Sequence, residues 1–312
     1  MTQQLVPVSR SQPELARNIV LVADDYAMSA GISLGIESLA RNGRISAASA
    51  IVTLPRWRED APRLATLRDR IAIGLHINLT LGAPLTRMAT IAPDGKFPEI
   101  AKLMRLPLLS RHDRAHAETE MALEIARQLA EFEDATGFAP DFLDGHQHVH
   151  ALPVVRRAFF SALSRHYAEF GRRPLIRIPS ERLANLVGRG RGGAAAKSGV
   201  LKLLAAGFRH AVLRAGFPAN DTFAGVSAFR ESGAAVSGDM ERARKARGRL
   251  HLVMCHPGIP TPELDGLDTV RARRSAEMAF LGERNPLTDR LWRPSRLANG
   301  PVIDWGRERE AM

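Results

Sequence analysis

The chain has 312 residues, a formal net charge of +11, an apolar fraction of 45% and a charged fraction of 25%. These values are typical of a globular protein, and the length suits one large α/β domain. The single cysteine, Cys255, excludes a disulfide within the chain. Aromatic residues make up only 5% of the chain and no zinc-finger spacing occurs, so we expect no nucleic-acid partner.

The ends of the chain predict a soluble, cytoplasmic protein. Residues 1–17 contain Pro7 and Pro13 and lack a basic start followed by an apolar run. No stretch reaches the roughly 18 apolar residues of a spanning helix. We expect a flexible N-terminal segment over 1–17, one domain over 18–285, and a tail with few order signals over 286–312.

Strands and helices are predicted to alternate along the domain. Short apolar runs predict strands at 18–25, 46–54, 71–79, 175–178 and 250–255, and residues 142–150 are predicted to form a strand followed by a loop. Periodic patterns predict helices at 29–42, about 55–70, 116–136, 153–170, 182–217 and 270–281. The long connection at 81–112 is of a kind that is often functional. Alternation implies a mostly parallel sheet or barrel, whose chemistry gathers at the C-terminal ends of its strands.

Two adjacent carboxylates, Asp24 and Asp25, end the first predicted strand. Two acids in an apolar segment need compensation, which a functional site would supply. The alternative is a strand terminus or a helix N-cap formed by Asp25 or Ser29. In a regular strand, neighbouring side chains point to opposite faces, so Asp24 and Asp25 are expected to face apart.

Three histidines follow the fourth predicted strand at alternate positions: His146, His148 and His150. In an extended segment alternate positions share a face, which predicts a cluster of imidazoles suited to a divalent metal. A polar surface turn is the alternative. His76 lies at another strand end, where a single histidine is more often a satisfied core residue. Together with one aspartate, His76 and His146 predict a metal site with open positions for water and substrate.

His256 follows the last predicted strand and is a candidate general acid. The preceding residue, Cys255, raises the alternative of a Cys–His nucleophile. We set that alternative aside because neighbours on a strand point to opposite faces.

Four motifs of the chain resemble those of the YdjC-like carbohydrate deacetylase family, which includes chitooligosaccharide deacetylases and hopanoid-associated deacetylases. They are VADDYAMS at 22–29, GLHINLT at 74–80, LDGHQHVH at 143–150 and MCHPG at 254–258. Each motif alone is weak evidence, but all four in this order and spacing are specific. The resemblance covers about residues 18–285.

The resemblance implies an α/β fold that is an incomplete or distorted TIM-like barrel. It implies that Asp25, His76 and His146 bind a divalent metal, and that Asp24 is the catalytic base. His256 matches a histidine of the family that lies near the position of the general acid. The family is usually associated with Mg²⁺, while related deacetylases use Zn²⁺.

The chain departs from the family's usual pattern at two places. Tyr26-Ala27 stand where the family has Phe-Gly, and Gly145 and Gln147 stand where it has Ser and His. No proposed ligand is lost, so the departures bear on substrate preference more than on reaction type. We expect the remaining polar residues of the motifs to line the sugar site or to orient the ligands from behind. These residues are Asn78, Asp144, His148 and His150.

The expected reaction removes an acetyl group from an N-acetylated saccharide or glycolipid, giving acetate and a free amino sugar. A metal-dependent hydrolase of a phosphoester or glycoside is one alternative, and a non-catalytic binder of anionic surfaces is another. Residues 182–217 carry seven Lys or Arg and no acid. This segment admits three interpretations: an ordinary helix on the core, a homodimer interface, or a peripheral contact with an anionic membrane.

Overall fold

Seven parallel strands form the framework of the protein. The computed structural model describes residues 18–168, 173–179, 207–225, 230–245, 248–264, 268, 270–294 and 305. In these ranges the strands are β1 (Asn18–Tyr26), β2 (Ala47–Ala50), β3 (Ala72–Ile77), β4 (Phe142–Gly145), β5 (Leu175–Ile176), β6 (Thr222–Ala224) and β7 (Leu250–Cys255). They form one sheet in the order β5-β4-β3-β2-β1-β7-β6, and every neighbouring pair is parallel.

Helices connect the strands, as expected for crossovers in a parallel sheet. In the described ranges they are α1 (Ala30–Arg41), α2 (Trp57–Ala65), α3 (Ile100–Arg105), α4 (Arg111–Thr136), α5 (Val155–His166), α6 (Phe208–Arg214), α7 (Gly233–Arg244) and α8 (Arg271–Glu283). The predicted irregular connection at 81–112 contains α3 and the start of α4. Ser110 caps α4 by accepting a hydrogen bond from the backbone N–H of Asp113 at 3.1 Å.

The sheet curls into a half-barrel whose edge strands, β5 and β6, approach each other. Ile176 of β5 forms a parallel bridge with Ala219, three residues before β6. The side-chain oxygen of Asn220 accepts from the backbone N–H of Ile178 at 2.7 Å, and its amide donates to the carbonyl oxygens of Ile178 and Thr222. The predicted incomplete TIM-like barrel is therefore confirmed.

Two apolar clusters lie on the two faces of the sheet. The larger one joins the sheet to the helices. The smaller one includes Val20 and Val22 of β1, Phe142 of β4, and two tryptophans from the C-terminal part, Trp292 and Trp305, whose rings stack at 4.7 Å. The predicted tail over 286–312 thus contributes side chains that pack on the sheet in its described part.

Several elements differ from the sequence expectations. The sequence did not predict β6 or α7, because neither element has a strong periodic pattern. The strand β6 is only three residues long. Of the basic segment 182–217, residues 182–206 lie outside the described residues. The described part contains α6, which buries Phe208 and Val212. Among the described residues, none of the helices has the length and hydropathy needed to cross a membrane.

Candidate metal and catalytic site

The four motifs meet at the C-terminal ends of adjacent strands. His76 of β3 lies opposite Asp144 of β4 in the parallel pair. On the other side of β1, Ala23 lies opposite Cys255 of β7, so Asp24 and His256 leave the sheet side by side. The gathering of polar residues at one end of the sheet follows from the parallel topology.

A bulge at the end of β1 directs its two aspartates. The register with β2 shifts between Ala23 and Tyr26, and Asp25 and Ala27 have left-handed φ values of 68° and 71°. The expectation that Asp24 and Asp25 face apart was wrong, because it assumed a regular strand. The bulge lets both carboxylates approach His76. The left-handed conformation at Ala27 is one that glycine, the usual family residue there, adopts without steric cost.

Asp25, His76 and His146 form a group that could hold a metal ion. One ligand atom of each lies within 4.8 Å of the others. The Oδ1 atom of Asp25 is 2.9 Å from Nδ1 of His146 and 3.4 Å from Nε2 of His76. One carboxylate oxygen and two imidazole nitrogens are a donor set that divalent ions accept, so these residues fit a metal.

Asp144 orients His76 from behind. Its Oδ1 atom is 2.6 Å from Nδ1 of His76 and accepts a hydrogen bond from Ser49 Oγ at 2.5 Å. This contact fixes the imidazole ring with Nε2 directed to Asp25. A carboxylate behind a ligand histidine is common in metal sites, where it sets the tautomer and raises the basicity of the ligand.

The charged side chains of this group shift one another's pKa values. Burial alone would lower the pKa of His76, but the carboxylates of Asp144 and Asp24 outweigh it and raise that pKa to about 10. Burial would raise the pKa of Asp25, but the charges of Arg274 and His146 hold it well below its usual range. Without a metal, His76 is therefore protonated at neutral pH, and a metal that binds Nε2 must displace this proton.

Asp24 is held by a buried arginine. Nη2 and Nη1 of Arg177 donate to Oδ1 and Oδ2 of Asp24 at 2.6 and 2.7 Å. Nη2 also lies 2.5 Å from Oδ2 of Asp144. Arg177 directly follows β5 and is fully buried. Sequence reasoning missed it, although an arginine inside the apolar run LIRI at 175–178 was an available signal.

A second buried arginine contacts the other aspartate. Nη2 of Arg274, in the first turn of α8, donates to Oδ2 of Asp25 at 2.6 Å. Its Nε donates to Oδ2 of Asp268 at 2.6 Å. Each of the two adjacent aspartates therefore has its own arginine, which compensates the cost of burying two like charges together. The sequence carried no signal for Arg274.

The three histidines at 146–150 do not share a face. Residues His146–Ala151 form a 3₁₀ turn in which Gln147 and His148 have left-handed φ values of 52° and 59°. The expected imidazole cluster was wrong because the segment is not extended. The ring of His146 reaches Asp25, whereas the ring of His148 lies edge-on to Phe223, with centroids 5.7 Å apart.

His150 lies in the core and contacts the backbone of Arg177. Its Nε2 donates to the carbonyl oxygen of Arg177 at 2.9 Å, and its ring packs against Phe159 and Phe208. Burial lowers the pKa of His150 to about 4, so the ring is neutral at neutral pH. A Cβ atom at Gly145 would lie 2.8 Å from His150 Nδ1, so a larger residue at this position would require the imidazole ring to shift.

The side chain of Asn78 is used to fold the turn after β3. Its amide nitrogen donates to Thr53 Oγ1 at 2.7 Å and to the carbonyl oxygen of Leu81 at 2.6 Å. Its oxygen accepts from the backbone N–H groups of Thr80 and Leu81. Asn78 therefore shapes the loop beside His76 and does not offer a free polar group.

His256 lies at the end of β7, beside the aspartates. Its backbone N–H donates to Glu277 Oε2 at 2.5 Å. Burial holds the pKa of its imidazole below the usual value, against the opposing charges of Asp25 and Asp24. The neighbouring Cys255 is buried and donates its thiol to the carbonyl oxygen of Val22. Burial raises the pKa of that thiol far above its usual value, so it does not supply a thiolate nucleophile.

Comparison with known proteins agrees with the motifs. Residues 18–287 match the YdjC-like protein family, and the chain belongs to this family. The fold is shared with a protein of Enterococcus faecalis V583 proposed to cleave cellobiose-phosphate. The two chains are 16% identical with a TM-score of 0.63, over 93% of this chain and 98% of that one. At this identity the likeness concerns the fold alone.

A more distant structural match is a peptidoglycan N-acetylglucosamine deacetylase in complex with a naphthalenyl N-hydroxybenzamide. It is 11% identical over 86% of this chain and 82% of that one. Its TM-score of 0.36 is too low to carry an argument.

Proposed function

We propose that the protein is a metal-dependent carbohydrate deacetylase that hydrolyses the N-acetyl group of an N-acetylated saccharide or glycolipid. Membership in the YdjC-like family supports this function. The observation that carries the proposal is that two adjacent acids have different surroundings. Asp25 joins His76 and His146 in a group suited to a metal, while Asp24 stands beside that group as a second carboxylate held by Arg177.

The proposed ligands are Asp25 Oδ1, His76 Nε2 and His146 Nδ1. When bound, a divalent ion supplies Lewis acidity, which polarises the acetyl carbonyl and lowers the pKa of water. The family resemblance favours Mg²⁺. Two imidazole donors are more typical of Zn²⁺, because Mg²⁺ prefers oxygen ligands. Elemental analysis of the purified protein separates these two ions.

Asp24 is the proposed general base. Arg177 fixes the carboxylate by contacting both oxygens, and each oxygen keeps a second lone pair that can accept a proton. As water attacks the acetyl carbon, one O–H bond breaks, the new C–O bond forms, and the proton passes to Asp24. Breaking the C–N bond then releases acetate, and the amine nitrogen takes up a proton.

His256 is the proposed donor of that proton to the leaving amine. Because burial lowers its pKa, the imidazole enters the reaction neutral. It can protonate the amine only after accepting a proton itself, which its position beside Asp24 and Asp25 favours. His148, whose pKa burial and Arg177 hold well below the usual value, has no charge to offer at neutral pH.

An acetate-release screen tests this function. Purified protein is incubated with chitobiose, longer chitooligosaccharides and N-acetylglucosaminyl lipids, with and without added Mg²⁺ or Zn²⁺, beside the Asp24→Asn variant. We expect metal-dependent acetate release from at least one substrate and none from the variant. Inorganic phosphate from phosphorylated sugars, or new reducing ends without acetate, would instead identify a phosphoesterase or a glycosidase.

A further inference from the structure

The two carboxylate oxygens of Asp25 have different surroundings. Oδ1 faces His146 Nδ1 at 2.9 Å and His76 Nε2 at 3.4 Å, which is the side of the proposed metal. Oδ2 accepts a hydrogen bond from Arg274 Nη2 at 2.6 Å. A carboxylate can bind a metal through one oxygen or through both. Here one of the two oxygens accepts a charge-assisted hydrogen bond from Arg274, which uses one of its two lone pairs and weakens it as a metal donor.

The position of Arg274 is fixed by its own contacts. Asp268 accepts from its Nε at 2.6 Å and from its Nη2 at 3.3 Å, and the guanidinium is almost completely buried. The carbonyl oxygen of Arg274 accepts a hydrogen bond from the backbone N–H of Gly258 at 3.4 Å, which joins this turn of α8 to the segment after β7. Moving the guanidinium away from Asp25 would also break its hydrogen bonds to Asp268.

The two arginines treat the two aspartates differently. Arg177 contacts both oxygens of Asp24, whereas Arg274 contacts a single oxygen of Asp25. The first contact leaves neither oxygen of Asp24 without a cation, which disfavours a metal there. The second leaves Asp25 Oδ1 facing the two histidines, without an arginine contact in the described residues. The two patterns of contacts thus distinguish Asp24, the proposed base, from Asp25, the proposed metal ligand.

We propose that Arg274 is a positioning residue that restricts Asp25 to metal coordination through one oxygen. This inference rests on the proposed metal site. A metal held by the two imidazoles and one oxygen of Asp25 would keep one more position open than a metal held by both oxygens. The proposed deacetylation would use two open positions, one for water and one for the acetyl carbonyl. Arg274 keeps the second position open.

Co²⁺ titration of the purified, metal-stripped protein tests the role of Arg274, with the visible absorption of the bound ion as the readout. The intensity of these bands falls as the coordination number of Co²⁺ rises. We expect Arg274→Met to bind Co²⁺ at least about tenfold more tightly, because a nearby positive charge is lost, and to show weaker, shifted bands. Arg274→Lys, which keeps a charged donor, should remain close to the wild type.

The matched control is Arg273→Met on the same helix. Arg273 is equally buried and pairs with Asp239 and Glu277, but it does not contact Asp25. Its Co²⁺ spectrum and affinity should equal those of the wild type. Should Arg274→Met fail to fold, the double variant Arg274→Met/Asp268→Asn removes the same contact without leaving Asp268 as an unpaired buried charge.

Unchanged bands and affinity in the Arg274→Met variant or in the double variant would overturn the proposal. So would an equal change in the Arg273→Met control, since the effect would then come from general disturbance of α8. Acetate release is measured separately. If the Co²⁺ results are as expected but no N-acetylated substrate releases acetate, the proposed reaction is wrong and the role of Arg274 stands.

Discussion

The guanidinium of Arg177 binds Asp24 through two hydrogen bonds of 2.6 and 2.7 Å. The same guanidinium lies 2.5 Å from Asp144, which orients His76. One buried side chain thus links the proposed base to the carboxylate behind a proposed metal ligand. The link runs through contacts between β1, β4 and the residue after β5, and it holds the site together independently of any bound ion.

Replacing Arg177 should impair turnover more than metal binding. Arg177→Lys keeps the charge but cannot make two parallel hydrogen bonds, so Asp24 loses its fixed orientation. We expect kcat for acetate release to fall by about 10²-fold with the metal content unchanged. The control is Arg173→Lys on the same segment, where the arginine packs on Phe217 away from the site. Equal kcat values for wild type and Arg177→Lys would contradict this role.

Asp24→Asn should separate the base from the ligands. The amide nitrogen cannot accept the proton of the attacking water, and the loss of a general base costs about 10²–10⁴-fold. The metal content should stay at the wild-type level, because Asp25, His76 and His146 are intact. Parallel kinetics and elemental analysis provide the check, and near-normal kcat would assign the base to another residue.

Removing a ligand should abolish metal binding and activity together. His76→Ala and His146→Ala each delete one of the three donors of the proposed site. His166→Ala is the matched control, because His166 is a partly buried histidine that pairs with Glu133 on the outer helices. Elemental analysis should find metal in the control only. Wild-type metal content in both ligand variants would show that the ligand assignment is wrong.

Buried neutral histidines should make the protein less stable in mild acid. Burial lowers the pKa of His251 to about 4, below the value of about 6.5 expected in the unfolded chain. Between these values the unfolded state binds more protons, so the free energy of unfolding decreases as the pH falls from 6.5 to 4. For His251 the full effect is at most about 3 kcal/mol.

Urea unfolding of wild type and His251→Leu over this pH range measures that contribution. The variant should lose less stability on acidification, because it lacks the group that must be protonated. His150 has a pKa of about 4 for the same reason and remains in both proteins, so part of the acid sensitivity should persist. Identical pH dependence in the two proteins would contradict the prediction.

Because β3 and β4 approach closely, replacing Gly74 alone should destabilise the protein. A Cβ atom at Gly74 would lie 2.4 Å from the Phe142 ring. Gly74→Ala should therefore lower the free energy of unfolding by about 1–3 kcal/mol, as expected for overpacking in a core. The double variant Gly74→Ala/Phe142→Leu should recover part of this loss. No destabilisation in the single variant would show that the ring has room to move.

The sequence predicted the framework of the site well. Apolar runs ending in Asp25 and His76 were sufficient to predict parallel strands with functional residues at their C-terminal ends. The family motifs then predicted Asp24, His146 and His256 as site residues, and the structure brings them to the same end of the sheet. The strand predictions succeed because the strand period is a local property of the chain, and the parallel topology then brings the motif residues to one end of the sheet.

What the sequence did not predict depends on long-range contacts and on irregular backbone. Arg177 and Arg274 contact the aspartates across 153 and 249 residues, and although Arg177 stands inside an apolar run, no local pattern identifies the partner of either arginine. The alternation of histidines suggested an extended segment. The left-handed residues Gln147 and His148 instead separate the three rings, and no local pattern predicts this conformation for non-glycine residues.

The central claim is tested most directly by acetate release from an N-acetylated chitooligosaccharide. Protein stripped with a chelator and protein reconstituted with one equivalent of Zn²⁺ or Mg²⁺ are compared, each as wild type and as Asp24→Asn. The account predicts acetate only from reconstituted wild type, with full metal content in both reconstituted proteins. Equal acetate release by stripped and reconstituted wild type, or by reconstituted Asp24→Asn, would contradict it.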